Sequence, residues 1–217
     1  MTYNNNYYKA FENNTVNLPY EKLNRMFKMV RYEFDCKSLA VLDAGCGTGL
    51  VCKYLKEKGI KDITGIDNFE YPLSRAKELV TECNFIKADL NEQLELPDGS
   101  FDLIISNEVI EHLEHPEIFF EESRRILKTG GSLILKTPNG LDINRFICKL
   151  TNRVWYADKD KTHIQYFNAL SLKNALASCG FKDIIIRTGT KPLLSIKGIK
   201  IPPFPFVGNG VVARGIK

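Results

Sequence analysis

Apolar positions along this chain fall into two alternating rhythms. Leu39 to Leu42 is an unbroken apolar run of the kind that forms a strand buried on both faces. It meets Asp43 and then glycines at alternate positions 45, 47 and 49, after which Val51, Tyr54 and Leu55 take up i, i+3, i+4 helical spacing. The same exchange repeats downstream. Asp62 to Ile66 reads as a second strand closing on Asp67, Pro72 to Val80 as a helix, and Asn84 to Ala88 as a third strand closing on Asp89 and Leu90. Phe101 to Ser106 is the fourth strand, Glu117 to Leu127 a helix, and Ser132 to Thr137 a fifth strand stopped by Pro138. Leu170 to Ser178 is a last crossover helix ended by Gly180, and Phe181 to Arg187 with Gly210 to Arg214 reads as a closing hairpin. Ahead of all this, Pro19 suits a first helical turn, and Leu23, Met26, Phe27, Val30 and Phe34 give an amphipathic helix of about four turns. Strands alternating with helices predict an α/β fold with a doubly wound parallel sheet, whose ligands lie beyond the carboxyl ends of its strands. Asp43, Asp67, Asp89 and the Ser106–Asn107 corner all fall there.

Three stretches stand outside the rhythm. Residues 1 to 18 carry Tyr3, Tyr7, Tyr8 and Phe11 among asparagines, a mix too polar for core. A lid over the site and a partly disordered terminus are both open readings of it. Residues 139 to 165 exceed an ordinary connection, with Ile143, Phe146, Ile147 and Leu150 at helical spacing and Trp155, Tyr156 and Tyr166 nearby. The Pro-rich stretch 201 to 206 cannot be central strand and reads as a stiff loop near the pocket mouth.

Composition narrows the setting. The 217 residues suffice for a single domain over 1–217 with an N-terminal lid or helix (1–36) and an insertion (139–167). No apolar run reaches the roughly twenty residues of a membrane span, and the polar start is neither signal nor transit peptide. Six cysteines without a C-x-x-C pair suggest buried thiols in a reducing cytoplasm. A net charge of +4 does not argue for nucleic acid. From Arg187 to Lys217, however, there are six basic residues and no acid, which suits an anionic substrate or equally a solvated basic surface.

The glycine stretch carries the first chemistry. A strand, a glycine turn and a helix start let backbone approach a nucleotide closely. The dinucleotide fingerprint G-x-G-x-x-G fits at Gly45 and Gly47 but needs glycine at Leu50, and Gly49 comes one residue early. Asp43 at the strand end would repel a pyrophosphate and attract a cation. Asp67, twenty-two residues after Gly45, is spaced to accept from both hydroxyls of a bound ribose. With VLDAGCGTG, GID, ADL, FDLIISNEVIEHLEHP and LKTPN, the chain from about Leu39 to Phe181 resembles the class I S-adenosylmethionine-dependent methyltransferases. Within that class it is most similar to the branch of quinone-biosynthesis, natural-product and sugar O-methyltransferases.

The resemblance implies a Rossmann-like seven-stranded sheet, mostly parallel with a closing antiparallel hairpin, and helices on both faces. It implies S-adenosylmethionine as cofactor and S-adenosylhomocysteine as product. It places the cofactor on Asp43, Gly45, Cys46, Gly47, Asp67, Asn68 and Asn107, with Asp89 at the adenine amino group and Leu90 against the ring. An insertion at 139–167 of this fold usually builds the acceptor pocket. The acceptor expected is a small molecule with a ring or sugar, possibly anionic, rather than protein or DNA.

The stretch Asn107 to Leu113 also resembles 2′-O-methyltransferases of small-RNA 3′ ends. By that likeness Glu108, Glu111, His112 and His163 would hold a divalent metal. The first three would share one helical face through i+3 and i+4 neighbours. E-x-x-E-H-x-x-x-P equally occurs in relatives that need no metal, where His112 is a general base or lines the pocket. His112, His163 and Glu111 are the candidate catalytic residues on either version. A metal-free base predicts a rate rising with pH through the imidazole pKa. RNA is the less favoured acceptor, for want of an added RNA-binding domain or basic stripe. The alternative from another class is a cofactor-binding partner protein that has lost catalysis.

Overall fold

The computed structural model describes residues 20–34, 38–189, 195–196, 199–200 and 208–217. The aromatic N-terminal stretch, Pro19, Cys36 and the proline-rich 201–206 segment lie outside the described residues. The elements run α1 (Tyr20–Met29), β1 (Ala40–Ala44), α2 (Leu50–Glu57), β2 (Asp62–Asp67), α3 (Glu70–Leu79), β3 (Asn84–Lys87) and β4 (Phe101–Asn107). Then come α4 (Pro116–Ile126), β5 (Leu127–Pro138), α5 (Ile143–Leu150), α6 (Ala169–Ser178), β6 (Lys182–Thr188), the two-residue strands β7 (Ser195–Ile196) and β8 (Ile199–Lys200), and β9 (Gly210–Ile216).

Seven strands form one sheet in the order β3-β2-β1-β4-β5-β9-β6, and β7 pairs with β8 apart from it. Pairing is parallel from β3 through β5, while β9 runs antiparallel between β5 and β6. This is the expected Rossmann-like sheet with its closing hairpin. The period-2 alternation along the strands divides the core between two faces. Leu42, Ile104, Leu133 and Leu135 pack with Phe119 and Phe120 of α4 and Leu172 and Leu176 of α6. Val41, Leu103, Ile105 and Ile134 pack instead with Leu23, Met26 and Phe27 of α1 and Val51 and Leu55 of α2. Helices therefore cover both faces. Each such fully buried aliphatic contributes about 1.5–3 kcal/mol relative to exposure.

Local chemistry fixes the ends. Pro116 begins α4, and Asn168 caps α6 by accepting from Ser171 N at 3.0 Å while the Ser171 hydroxyl accepts from Asn168 N at 2.9 Å. Asp102 is structural: its Oδ2 accepts from Ala40 N at 2.8 Å and Lys128 Nζ at 2.7 Å, tying β4 to the starts of β1 and β5. Most boundaries fall within two residues of the sequence reading, and two differ by more. The first helix stops at Met29, because Arg31 enters the left-handed region at φ 55°, and Tyr32 and Phe34 turn back onto Phe27. The fifth strand starts at Leu127 rather than Ser132, since Leu127 already pairs with Phe101 before the register shifts. Among the described residues no helix is long and apolar enough to cross a membrane.

Candidate active site

Backbone hydrogen bonds anchor the start of the β1–α2 turn. Gly45 N and Cys46 N both donate to Ile66 O at 2.8 Å, so the turn is strapped to the end of β2. Gly45 sits at φ 79°, and a Cβ there would collide with the Val109 side chain, leaving room only for glycine. Gly47, at φ 51°, differs: a Cβ would meet nothing within 4 Å. That open face over a strand-turn-helix corner is a cradle a side chain would fill, and it fits an adenosyl cofactor.

Acids ring the cradle. Asp43 is fully buried; burial pushes its carboxyl up to about 7, the Cys52 thiol opposing by donating to Oδ2 at 3.3 Å. A cationic ligand would favour its ionised form. Asp67 Oδ2 accepts from Gly47 N at 2.9 Å and Oδ1 from Phe69 N at 3.0 Å, which aims the carboxylate across the turn. Burial raises its pKa, while these backbone donors lower it. Asp89 accepts from the Asn68 amide at 2.8 Å and from Asn91 N at 2.9 Å, joining the ends of β2 and β3. Leu90 is buried in the core among residues that include Ile66 and Leu94, while Cys46 is a buried thiol whose pKa burial pushes up. Asn107 closes β4 opposite Lys136 of β5. The nine expected cofactor positions thus lie on adjoining strand ends and the turns that follow.

The expected helix after β4 does not form. Glu108 adopts φ 58°, which no helix accommodates, and only Ile110–His112 makes a single 3-10 turn. Glu108 turns away to pair with Lys136 Nζ. Of the four candidate metal ligands the fold brings three together: one donor atom each from Glu111, His112 and His163 lies within 4.8 Å of the others. The His112 and His163 rings stand 4.7 Å apart, and His163 Nε2 is 4.0 Å from Glu111 Oε1. Glu111 is fully buried; burial pushes its carboxyl up to about 7, although the Thr137 hydroxyl donates to Oε2 at 2.9 Å. Glu111 Oε1 and His163 Nδ1 are buried with no hydrogen-bond partner among the described residues. Such buried groups call for a partner, which a water, an ion or a ligand can each supply. Burial also pushes His112 down to about 4 and lowers His163, so both rings are neutral near pH 7.

Sequence reading did not single out Thr137, Thr162 or Asp160. Thr137 ends the fifth strand and Thr162 precedes His163, so proximity to named positions was the available signal. Nothing local marked Asp160.

The insertion flanks this cluster. Asp142 caps α5 through Asn144 N at 2.9 Å and accepts from the buried Trp155 Nε1 at 2.8 Å. Arg145 lies 4.3 Å from the Tyr166 ring centroid and 5.3 Å from that of Trp155. Tyr166 in turn meets His163 edge-on at 5.8 Å. A cavity of about 690 Å³ opens here, lined by residues including Leu141, Arg145, Phe146, Val154 and Trp155. That is within the usual range for small-molecule sites, about 300–1,000 Å³. Among the described residues, Arg187, Arg214 and Lys217 do not line it. Arg214 pairs with Ile134, and Lys217 Nζ donates to Leu127 O at 2.6 Å, toward the opposite end of the sheet. Lys191 and Lys197 lie outside the described residues.

A glycine cradle ringed by strand-end acids, on this strand order, defines a class I S-adenosylmethionine-dependent methyltransferase. The comparisons agree: the family described as "Methyltransferase domain" matches residues 14–185, and the chain belongs to it. A ubiquinone biosynthesis O-methyltransferase of Maricaulis maris is 32% identical over 107 residues, 48% of this chain and 42% of that protein. A probable S-adenosylmethionine-dependent methyltransferase of Mycobacterium tuberculosis is 28% identical over 154 residues, 69% of this chain and 51% of the relative. The matches thus span about half the length of these curated relatives. A crystal structure of a SAM-dependent methyltransferase from Archaeoglobus fulgidus superimposes with TM-score 0.73 over 97% of this chain and 100% of that one, at 22% identity.

Proposed function

We propose that this methyltransferase moves the cofactor's methyl group to a hydroxyl of a small acceptor, a phenol or sugar-like ring, with His112 taking the hydroxyl proton. The observation that carries the reading is a buried His112 beside His163 and Glu111, with Tyr166 linking His163 to Trp155 and Arg145 on the wall of a cavity. The matched O-methyltransferase of quinone biosynthesis supports the same atom type. S-adenosylmethionine, when bound, supplies an activated methyl on a sulfonium whose thioether product leaves without protonation. What the chain adds is alignment, worth several kcal/mol when attack is in line, and removal of the proton. Gly47 and Asp67 position the nucleoside end, while Phe146 and Arg145 on the cavity wall offer a ring face and one guanidinium to the acceptor.

A second reading has a divalent ion on Glu111, His112 and His163. Three donors with an open position suit such an ion, and the orphaned Glu111 Oε1 favours it. It would lower the acceptor hydroxyl's pKa by Lewis acidity. The loss of Glu108 from the set leaves the four-ligand arrangement of the RNA 3′-end enzymes without one member.

The test is methyl transfer from labelled cofactor to a panel of phenols, sugars, small RNA, DNA duplex and purified protein, with and without EDTA. Label in phenols or sugars that persists under EDTA is the expected outcome. Activity abolished by EDTA and restored by Mg²⁺, Mn²⁺ or Zn²⁺ selects the metal reading. Label in RNA, DNA or protein alone overturns the small-molecule acceptor. No transfer despite cofactor binding would select the inactive partner protein.

A further inference from the structure

An imidazole can accept a proton only at the ring nitrogen that does not already carry one. Among the described residues two atoms face His112 Nδ1: the Thr162 carbonyl oxygen at 3.2 Å and the Thr162 hydroxyl oxygen at 3.0 Å. The carbonyl has lone pairs and no hydrogen, so it can only accept. The hydroxyl has one hydrogen, and its oxygen lies 2.5 Å from Asp160 Oδ1, a carboxylate that can only receive it. The same Oδ1 accepts from Thr162 N at 2.9 Å, which fixes the threonine against the carboxylate. Both neighbours of Nδ1 are therefore acceptors.

We infer that a hydrogen-bond relay, His112 to Thr162 to Asp160, holds His112 as the Nδ1–H tautomer and thereby puts the ring's lone pair on Nε2. Thr162 and Asp160 are positioning residues for methyl transfer. In the reaction the acceptor oxygen forms its bond to the methyl carbon as the carbon–sulfur bond breaks, and the electron pair leaves on the thioether. The acceptor's proton goes to Nε2, and the resulting imidazolium keeps donating from Nδ1 to a hydroxyl polarised by the carboxylate. The proton stays on His112, and Asp160 stabilises the new charge through one intervening oxygen. This role rests on His112 as proton acceptor, but the tautomer does not: a metal on Nε2 would need the same lone pair.

The experiment reads the ring nitrogens directly. The chain has three histidines, so long-range proton–nitrogen correlation on the ¹⁵N-labelled full chain at neutral pH, without added metal, resolves His112, His115 and His163. Expected for the wild type is a protonated Nδ1 and a pyridine-type Nε2 on His112. Thr162→Val removes the hydroxyl and leaves the carbonyl as the remaining acceptor, so a detectable Nε2–H fraction should appear, and Thr162→Ser should restore the single tautomer. Asp160→Ala frees the hydroxyl hydrogen to turn toward Nδ1 and should shift His112 toward Nε2–H, an independent check should Thr162→Val fail to fold. With an acceptor from the panel, both losses should cut turnover about 10- to 100-fold at unchanged cofactor affinity, the scale for removing such a supporting partner. An Nε2–H ring in the wild type, or an unchanged tautomer in the two loss variants, overturns the relay. A confirmed tautomer in a protein that methylates nothing would sink the functional reading and leave the relay standing.

Discussion

His112→Ala is expected to lower turnover by about a hundred- to ten-thousand-fold, the range for removing a positioned acid or base. Affinity for S-adenosylmethionine should stay near the wild-type value. The side chain follows β4, beside His163 and Glu111, whereas Asp67 ends β2, with β1 between those two strands. Steady-state turnover of labelled cofactor with calorimetry on the same preparations measures both. A fully active variant would defeat the base and the metal readings alike. The pH dependence follows from burial. The base must be unprotonated, and with its pKa pushed down to about 4 the ring is already neutral from pH 5 upward. The rate rise attributed to this group therefore sits near pH 4, below the imidazole range expected from sequence. A limb near pH 7 would point instead to Glu111 or Asp43, both raised to about 7 by burial.

Asp67→Ala should weaken cofactor binding by about 1.5–3 kcal/mol, the net worth of hydrogen bonds to a charged group. Two losses combine. The ribose would lose its acceptor, and Gly47 N and Phe69 N, which donate to the carboxylate at 2.9 and 3.0 Å, would lose theirs, so the cradle slackens as well. Calorimetry on a variant whose thermal unfolding remains cooperative is the measurement. Wild-type affinity there would remove Asp67 from the site.

The parts of the site readable in the sequence are those fixed by strand ends. A strand's apolar run announces itself, and in a doubly wound sheet the next residue lies at the ligand edge whatever surrounds it. Asp43, Asp67, Asp89 and Asn107 were legible for that reason. Glu108 shows the opposite case. Helical spacing put it beside Glu111 and His112, but a left-handed φ of 58° and the Lys136 ammonium on the facing strand turned it away. That partner is twenty-eight residues distant in sequence, and periodicity carries no information about it. Asp160 is hidden likewise, since its role exists only where the insertion folds back across the 3-10 turn. Because β9 runs antiparallel to β5, Arg214 and Lys217 are carried toward the end of the sheet where β5 begins.

That antiparallel strand also orders how the molecule comes apart. Strand β6 lies at the sheet edge, and its ladder partner among the described residues is β9. Strand β9 in turn joins residues as far apart in sequence as Ser132 and Ile216. Closing so long a loop is entropically late in folding. Amide hydrogens of Lys182–Thr188 should consequently exchange no more slowly than the opening of β9 permits. The two strands would behave as one cooperative unit that detaches while β1 and β4, and the cradle they carry, remain protected.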